Sequence, residues 1–170
     1  ASSGDTVQVP SGTCTWNGVL TFPANKDLTI QGAGVGQTVI NCGTVDCIAM
    51  SNDGNQRLSG FTFNWSGGDQ YITVHGGVTS GKHFRIDHNA FNAPNATWSI
   101  LDVSGSGPAP KHPTGLIDNN TMLNFSIHFN GTDFSLTDGP TQHQLWSQPT
   151  ALGDGVDVVY VEDNTMASTP

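Results

Sequence analysis

Four hexapeptides decide the reading of this chain: Leu58-Ser-Gly-Phe-Thr-Phe63, Ile86-Asp-His-Asn-Ala-Phe91, Ile117-Asp-Asn-Asn-Thr-Met122 and Val161-Glu-Asp-Asn-Thr-Met166. An earlier partial copy begins at Ile30, so the first positions are 30, 58, 86, 117 and 161, with steps of 28, 28, 31 and 44 residues. A second set of apolar pairs marches beside it: Ile48/Met50, Ile72/Val74, Leu101/Val103 and Ile127/Phe129, with steps of 24, 29 and 26. The i, i+2 spacing inside each pair puts both side chains on one face of a strand. Two columns with a common period of this length describe coils stacked on coils, in which each coil buries its apolar face only against its neighbours.

The fold expected is therefore all-β: a right-handed parallel β-helix of five to six coils, one domain over residues 1–170. Ile30, Leu58, Ile86, Ile117 and Val161 should stack as one buried column, and Ile48, Ile72, Leu101 and Ile127 as another. Asn89, Asn120 and Asn164 recur at one position, where Asn tolerates the left-handed backbone of a tight turn. At the ~4.8 Å strand spacing their amides can hydrogen-bond along the axis as a ladder. A β-sandwich gives no reason for Asn to recur in register, and the Leu-x-x-Leu-x-Leu pattern of a leucine-rich repeat is absent. Residues 131–158 depart from the period and read as a long loop insertion.

Composition fits this picture. Of 170 residues 21 are Gly and only 11% are charged, which suits many short strands and tight turns. The net charge is −9, with Lys26, Arg57, Lys82, Arg85 and Lys111 as the fixed cations, so nucleic acid is not an expected partner. A polyanionic sugar would be repelled as well unless a divalent cation bridged it. No apolar run reaches the ~18 residues of a membrane span.

The segments SGDTVQVPSGTCTWNGVLTF (3–22), LTIQGAGVGQTVI (28–40), LSGFTF (58–63), FRIDHNAF (84–91) and VYVEDNTM (159–166) resemble bacterial right-handed parallel β-helix proteins of the pectate-lyase-like superfamily. The resemblance runs over almost the whole chain. It implies a secreted or cell-surface protein and a polysaccharide as partner. It does not specify the substrate, since that superfamily holds lyases, hydrolases, esterases, tailspikes and adhesins. FRIDHNAF is similar to a segment of the alginate and chondroitin lyases, but their catalytic Lys–Arg pair has no match here, and neither has the polygalacturonase set. The capping helix usual before the first coil, and the further coils usual after the last, are also missing from the sequence. Both ends are accordingly expected to be uncapped, and to meet either missing parts of a longer chain or a second copy stacked end to end.

Several residues are candidates for chemistry. If Leu101 and Val103 point inward, Asp102 points out, as do Thr73, His75, Ser104, His128 and Asn130. Asp102 and His128 then sit on neighbouring coils, a carboxylate beside an imidazole, which is the arrangement of a general base. His75 and Asn130 would line a substrate groove there, with His143 and Trp146 of the long loop as its wall. Asp87, Asp118 and Glu162 form a carboxylate column whose mutual repulsion a calcium ion would relieve, as would Lys82 or Arg85. No other cofactor is expected. His88 reads as a turn residue. Cys14 and Cys42, 28 residues apart, are the expected disulfide; Cys42–Cys47 is the rival pairing. Two functions follow from these readings: an extracellular β-helix that binds or processes a polysaccharide, by a lyase-like or glycosidase-like groove, or a non-catalytic structural or adhesive solenoid.

Overall fold

The computed structural model describes residues 1–43, 46–51, 53–65, 70–76, 82–94, 99–105, 113–130 and 159–168. They form three parallel sheets. Sheet A contains β1 (Asp5–Val9), β4 (Leu28–Gly32), β7 (Gln56–Ser59), β10 (Phe84–Asp87), β13 (Gly115–Asp118) and β16 (Val159–Glu162). Sheet B contains β2 (Gly12–Trp16), β5 (Thr38–Cys42), β8 (Thr62–Trp65), β11 (Ala90–Asn92), β14 (Thr121–Leu123) and β17 (Thr165–Ala167). Sheet C contains β3 (Leu20–Thr21), β6 (Ile48–Ser51), β9 (Gln70–Gly76), β12 (Ser99–Gly105) and β15 (Ser126–Asn130). The chain visits A, B and C in turn and then starts the next coil. The result is a right-handed parallel β-helix of five coils and part of a sixth. Among the described residues no helix is long and apolar enough to cross a membrane.

The expected columns are in register. Ile30, Leu58, Ile86, Ile117 and Val161 follow one another across sheet A, and Ile48, Ile72, Leu101 and Ile127 across sheet C. Leu58, Ile72, Ile86, Leu101 and Ile117 are fully buried, each worth about 1.5–3 kcal/mol. Burial lapses toward the two ends of the described stack: Val7 in the first coil, and Phe129, Val161 and Met166 toward the last, are exposed. The last position of the hexapeptide builds the third wall: Phe63 stacks on Phe91 at 5.7 Å, and Phe125 packs 5.1 Å from Phe91 and 5.3 Å from Trp65. Trp65 is therefore core, while Trp16 is half-buried at its rim.

The corner between sheets A and B locks the coils together. Asn120 Oδ1 accepts from the Asn89 backbone N–H (3.0 Å) and amide (3.1 Å), and Asn164 Oδ1 does the same for Asn120 (3.0 and 2.9 Å). Asn89 Oδ1 continues the ladder to the N–H of Phe61, which occupies the Asn position one coil earlier. Of the left-handed or bridge backbone expected at the ladder Asn, the left-handed alternative does not hold: the left-handed residue is the one before it. Gly60 (φ 81), His88 (φ 54), Asn119 (φ 55) and Asp163 (φ 53) stack there. The division is physical: one residue turns the chain, which frees the next to aim its amide along the axis.

The disulfide also differs from expectation. It joins Cys42 to Cys47, across the short connection from sheet B to sheet C, and Cys14 is free and exposed. The period that predicts Cys14–Cys42 does not hold at this point. Gly12 pairs with Thr38, a step of 26, so Cys14 lies against Ile40 and Trp16 takes the place beside Cys42.

Candidate functional site

The outer face of sheet C brings three of the singled-out residues together. Asp102 pairs with His128 on the next coil and with Thr73 on the previous one, and Ser104 pairs with His75. His128 Nδ1 lies 3.2 Å from Asp102 Oδ1, and His75 Nε2 lies 4.0 Å from Asp102 Oδ2. Asp102 is thus flanked by an imidazole on each neighbouring coil. It is mostly shielded (16% exposed), whereas the side chains of His75 and His128 are 56% and 55% exposed.

The hydrogen bonds assign the protons. A carboxylate only accepts, so His128 Nδ1 donates to Asp102, and Nε2 is the ring nitrogen left over in a side chain that is 55% exposed. His75 Nδ1 meets the buried hydroxyl of Ser104 at 2.8 Å, which orients the ring edge-on toward Asp102. Asp46, just before Cys47, adds a second carboxyl near His75; burial pushes it above its ordinary range, against the opposing pull of the imidazole charge. Asp46 escaped the sequence reading because it belongs to no repeat position.

The site lies at a corner of variable length. The chain intervals between described strands of sheets C and A that follow β9, β12 and β15 are 77–83, 106–114 and 131–158, the longest in the chain. His75, Asp102 and His128 stand in those three strands. His143, Trp146 and the insertion 131–158 lie outside the described residues, as does the side chain of Asn130.

The carboxylate column has a different character. Asp87, Asp118 and Glu162 do stack in register on the outer face of sheet A. However, Arg57 grips Asp87 with two hydrogen bonds (2.7 and 2.6 Å), and Arg85 grips Asp118 with two more (3.0 and 2.8 Å). Ser59 (3.2 Å) and His88 Nδ1 (2.8 Å) complete the shell of Asp87, whose side chain is 0% exposed. Burial alone would raise the Asp87 carboxyl, but the bonds from Arg57 and His88 hold it below its ordinary value of 3.8. Lys82 takes no part; it pairs instead with Asp27, two coils away (2.8 Å). Glu162 is exposed, because Leu116 stands where the next arginine of the series would be. Among the described residues no group of three or more His, Cys, Asp or Glu is arranged to hold a metal ion. The remaining histidine with described contacts, His83, bonds Thr114 at 2.9 Å.

Comparison with protein-family models, with curated proteins and with solved structures returns no match.

Proposed function

We propose that this chain is an extracellular β-helix of the pectate-lyase-like kind, and that the outer face of sheet C binds and processes a polysaccharide. The observation that carries this reading is the Asp102–His128 pair. Asp102 orients the ring and stabilises the imidazolium, while His128 Nε2 stays open to take a proton from a sugar or from an attacking water. His75 contributes a second exposed imidazole for contact with sugar hydroxyls. Asn130, His143 and Trp146 are proposed to extend the surface along the same corner. The Cys42–Cys47 disulfide fits an oxidising compartment. Two of the three carboxylates that could have taken calcium, Asp87 and Asp118, are engaged by arginines, so calcium enters this reading as a bridge to a charged substrate rather than as a resident ion.

A panel of neutral and acidic polysaccharides, with and without calcium, tests the proposal. Formation of unsaturated products and of reducing ends should be followed together. Turnover by the native chain that falls by about 10²-fold or more in His128→Asn supports it. Turnover that survives His128→Asn and Asp102→Asn unchanged would remove the pair from the chemistry.

A further inference from the structure

The three outer faces differ in charge. Sheet A carries Arg57, Arg85, Asp87, Asp118 and Glu162, and sheet C carries Asp102 between its two histidines. Sheet B carries none. Its outward positions are Thr13, Val39, Thr62, Ala90, Thr121 and Thr165 in one column, and Thr15, Asn41, Asn64, Asn92, Leu123 and Ala167 in the other. These twelve positions are uncharged in a chain of net charge −9; Thr62 and Ala90 in the middle of the first column are buried, which leaves the second column as the more open one.

The centre of this face is ordered. Asn92 Nδ2 donates to Asn64 Oδ1 (3.0 Å), and Asn64 Nδ2 donates to Asn41 Oδ1 (3.1 Å). This second amide ladder is not part of the hexapeptide. Unlike the corner ladder, it lies on an open strand face, and its three residues are only half-buried. The ladder uses one N–H of each donor amide and leaves the other N–H and spare oxygen lone pairs. Fixed amides therefore recur at the ~4.8 Å strand spacing, with the exposed hydroxyls of Thr15 and Thr121 at the margins.

We propose that this face is a second binding surface, for an extended uncharged polysaccharide lying along the solenoid axis. A neutral hydroxyl-rich polymer supplies both donors and acceptors to a row of amides. It also escapes the repulsion that an acidic chain exerts on a polyuronate, and a polycation would be drawn instead to the acidic residues elsewhere. The surface is independent of the Asp102–His128 site, so either can fail alone.

The test is retention on insoluble cellulose, chitin and mannan, with soluble polygalacturonate as a charged comparison. Asn64→Asp alters the ladder itself, and Thr15→Glu with Thr121→Glu adds charge at exposed positions beside it, Thr15 being the register neighbour of Asn41. Gln8→Ala, at an exposed position of sheet A, serves as the control. The expected result is binding to at least one neutral polymer, weakened roughly tenfold or more in the charged variants, because each carboxylate would be desolvated without a partner, and unchanged in Gln8→Ala. Retention on none of the neutral polymers would overturn the proposal. So would binding that is undiminished in the charged variants, or shaping of ice crystals without retention on any polysaccharide.

Discussion

Two Asp–His contacts of similar length among the described residues sit in opposite circumstances. Asp87 and His88 meet at 2.8 Å, Asp102 and His128 at 3.2 Å. Asp87 is fully buried and already satisfied by Arg57 and Ser59, so His88 is one more donor closing a shell. Asp102 meets no arginine or lysine among the described residues. Its partners are imidazoles on both sides, and each is more than half exposed. The same pair of side chains is thus mortar on sheet A and a solvent-facing pair on sheet C. The neighbours decide which, and the register supplies the neighbours: an arginine one coil back and two residues along the strand in one case, a second histidine in the other.

The largest difference should appear on removing the carboxylates. Asp87→Ala leaves Arg57 without its partner, a loss of roughly 3–5 kcal/mol for a buried pair. Because the Arg57 side chain is 39% exposed and can turn to water, the low end of that range, about 3 kcal/mol, is expected in chemical denaturation. A loss under about 0.5 kcal/mol would show that Asp87 is not structural.

The same clamp has a pH signature. The folded Asp87 carboxyl lies below its ordinary value of 3.8, so the folded state binds fewer protons than the unfolded one in that window. Its contribution should be complete well above pH 3.8 and be lost as the pH falls through the lower folded value. Melting curves of the native chain and of Asp87→Asn across the acid range should converge at their most acidic points. Parallel curves would contradict the assignment.

The corner ladder ranks next. Asn120→Val removes bonds to Asn89, Asn164 and the carbonyl of Ile86 and should cost about 1–3 kcal/mol. At the neighbouring turn position, His88→Asn should change stability by less than about 0.5 kcal/mol, since Asn tolerates the left-handed backbone and Asn119 already occupies the equivalent place. A loss above 1 kcal/mol would make His88 a true partner in the clamp and blur the contrast.

How far the sequence carries varies with the kind of feature. The apolar columns and the corner ladder were legible because their residues recur at one spacing and in one hexapeptide. The clamp was legible in part: Arg85 is the expected neighbour of Asp87 and lies 3.6 Å from it, but the main grip comes from Arg57, which reaches Asp87 diagonally, a 30-residue separation that combines a coil step with a shift along the strand. The Asn41–Asn64–Asn92 ladder was hidden by unequal steps of 23 and 28 and by the lack of a flanking motif. The disulfide was misjudged because one period was assumed everywhere, whereas the first step of sheet B is shorter. On sheet C the parity of a single strand, Leu101-Asp102-Val103, sufficed to place Asp102 beside His128. The place of Asp46 near His75 depends on the connection between sheets B and C, which no periodicity describes.

The contrast between the two pairs is tested most directly by preparing Asp87→Asn and Asp102→Asn side by side and measuring, on the same samples, the thermal unfolding midpoint and turnover of whichever polysaccharide the native chain processes. The account expects Asp102→Asn to melt with the native chain and lose turnover by about 10²-fold or more. Asp87→Asn should melt several degrees lower, yet keep its turnover at temperatures where it remains folded. An Asp102→Asn variant that is destabilised but fully active, or an Asp87→Asn variant that is stable but inactive, would reverse the two roles and contradict the account.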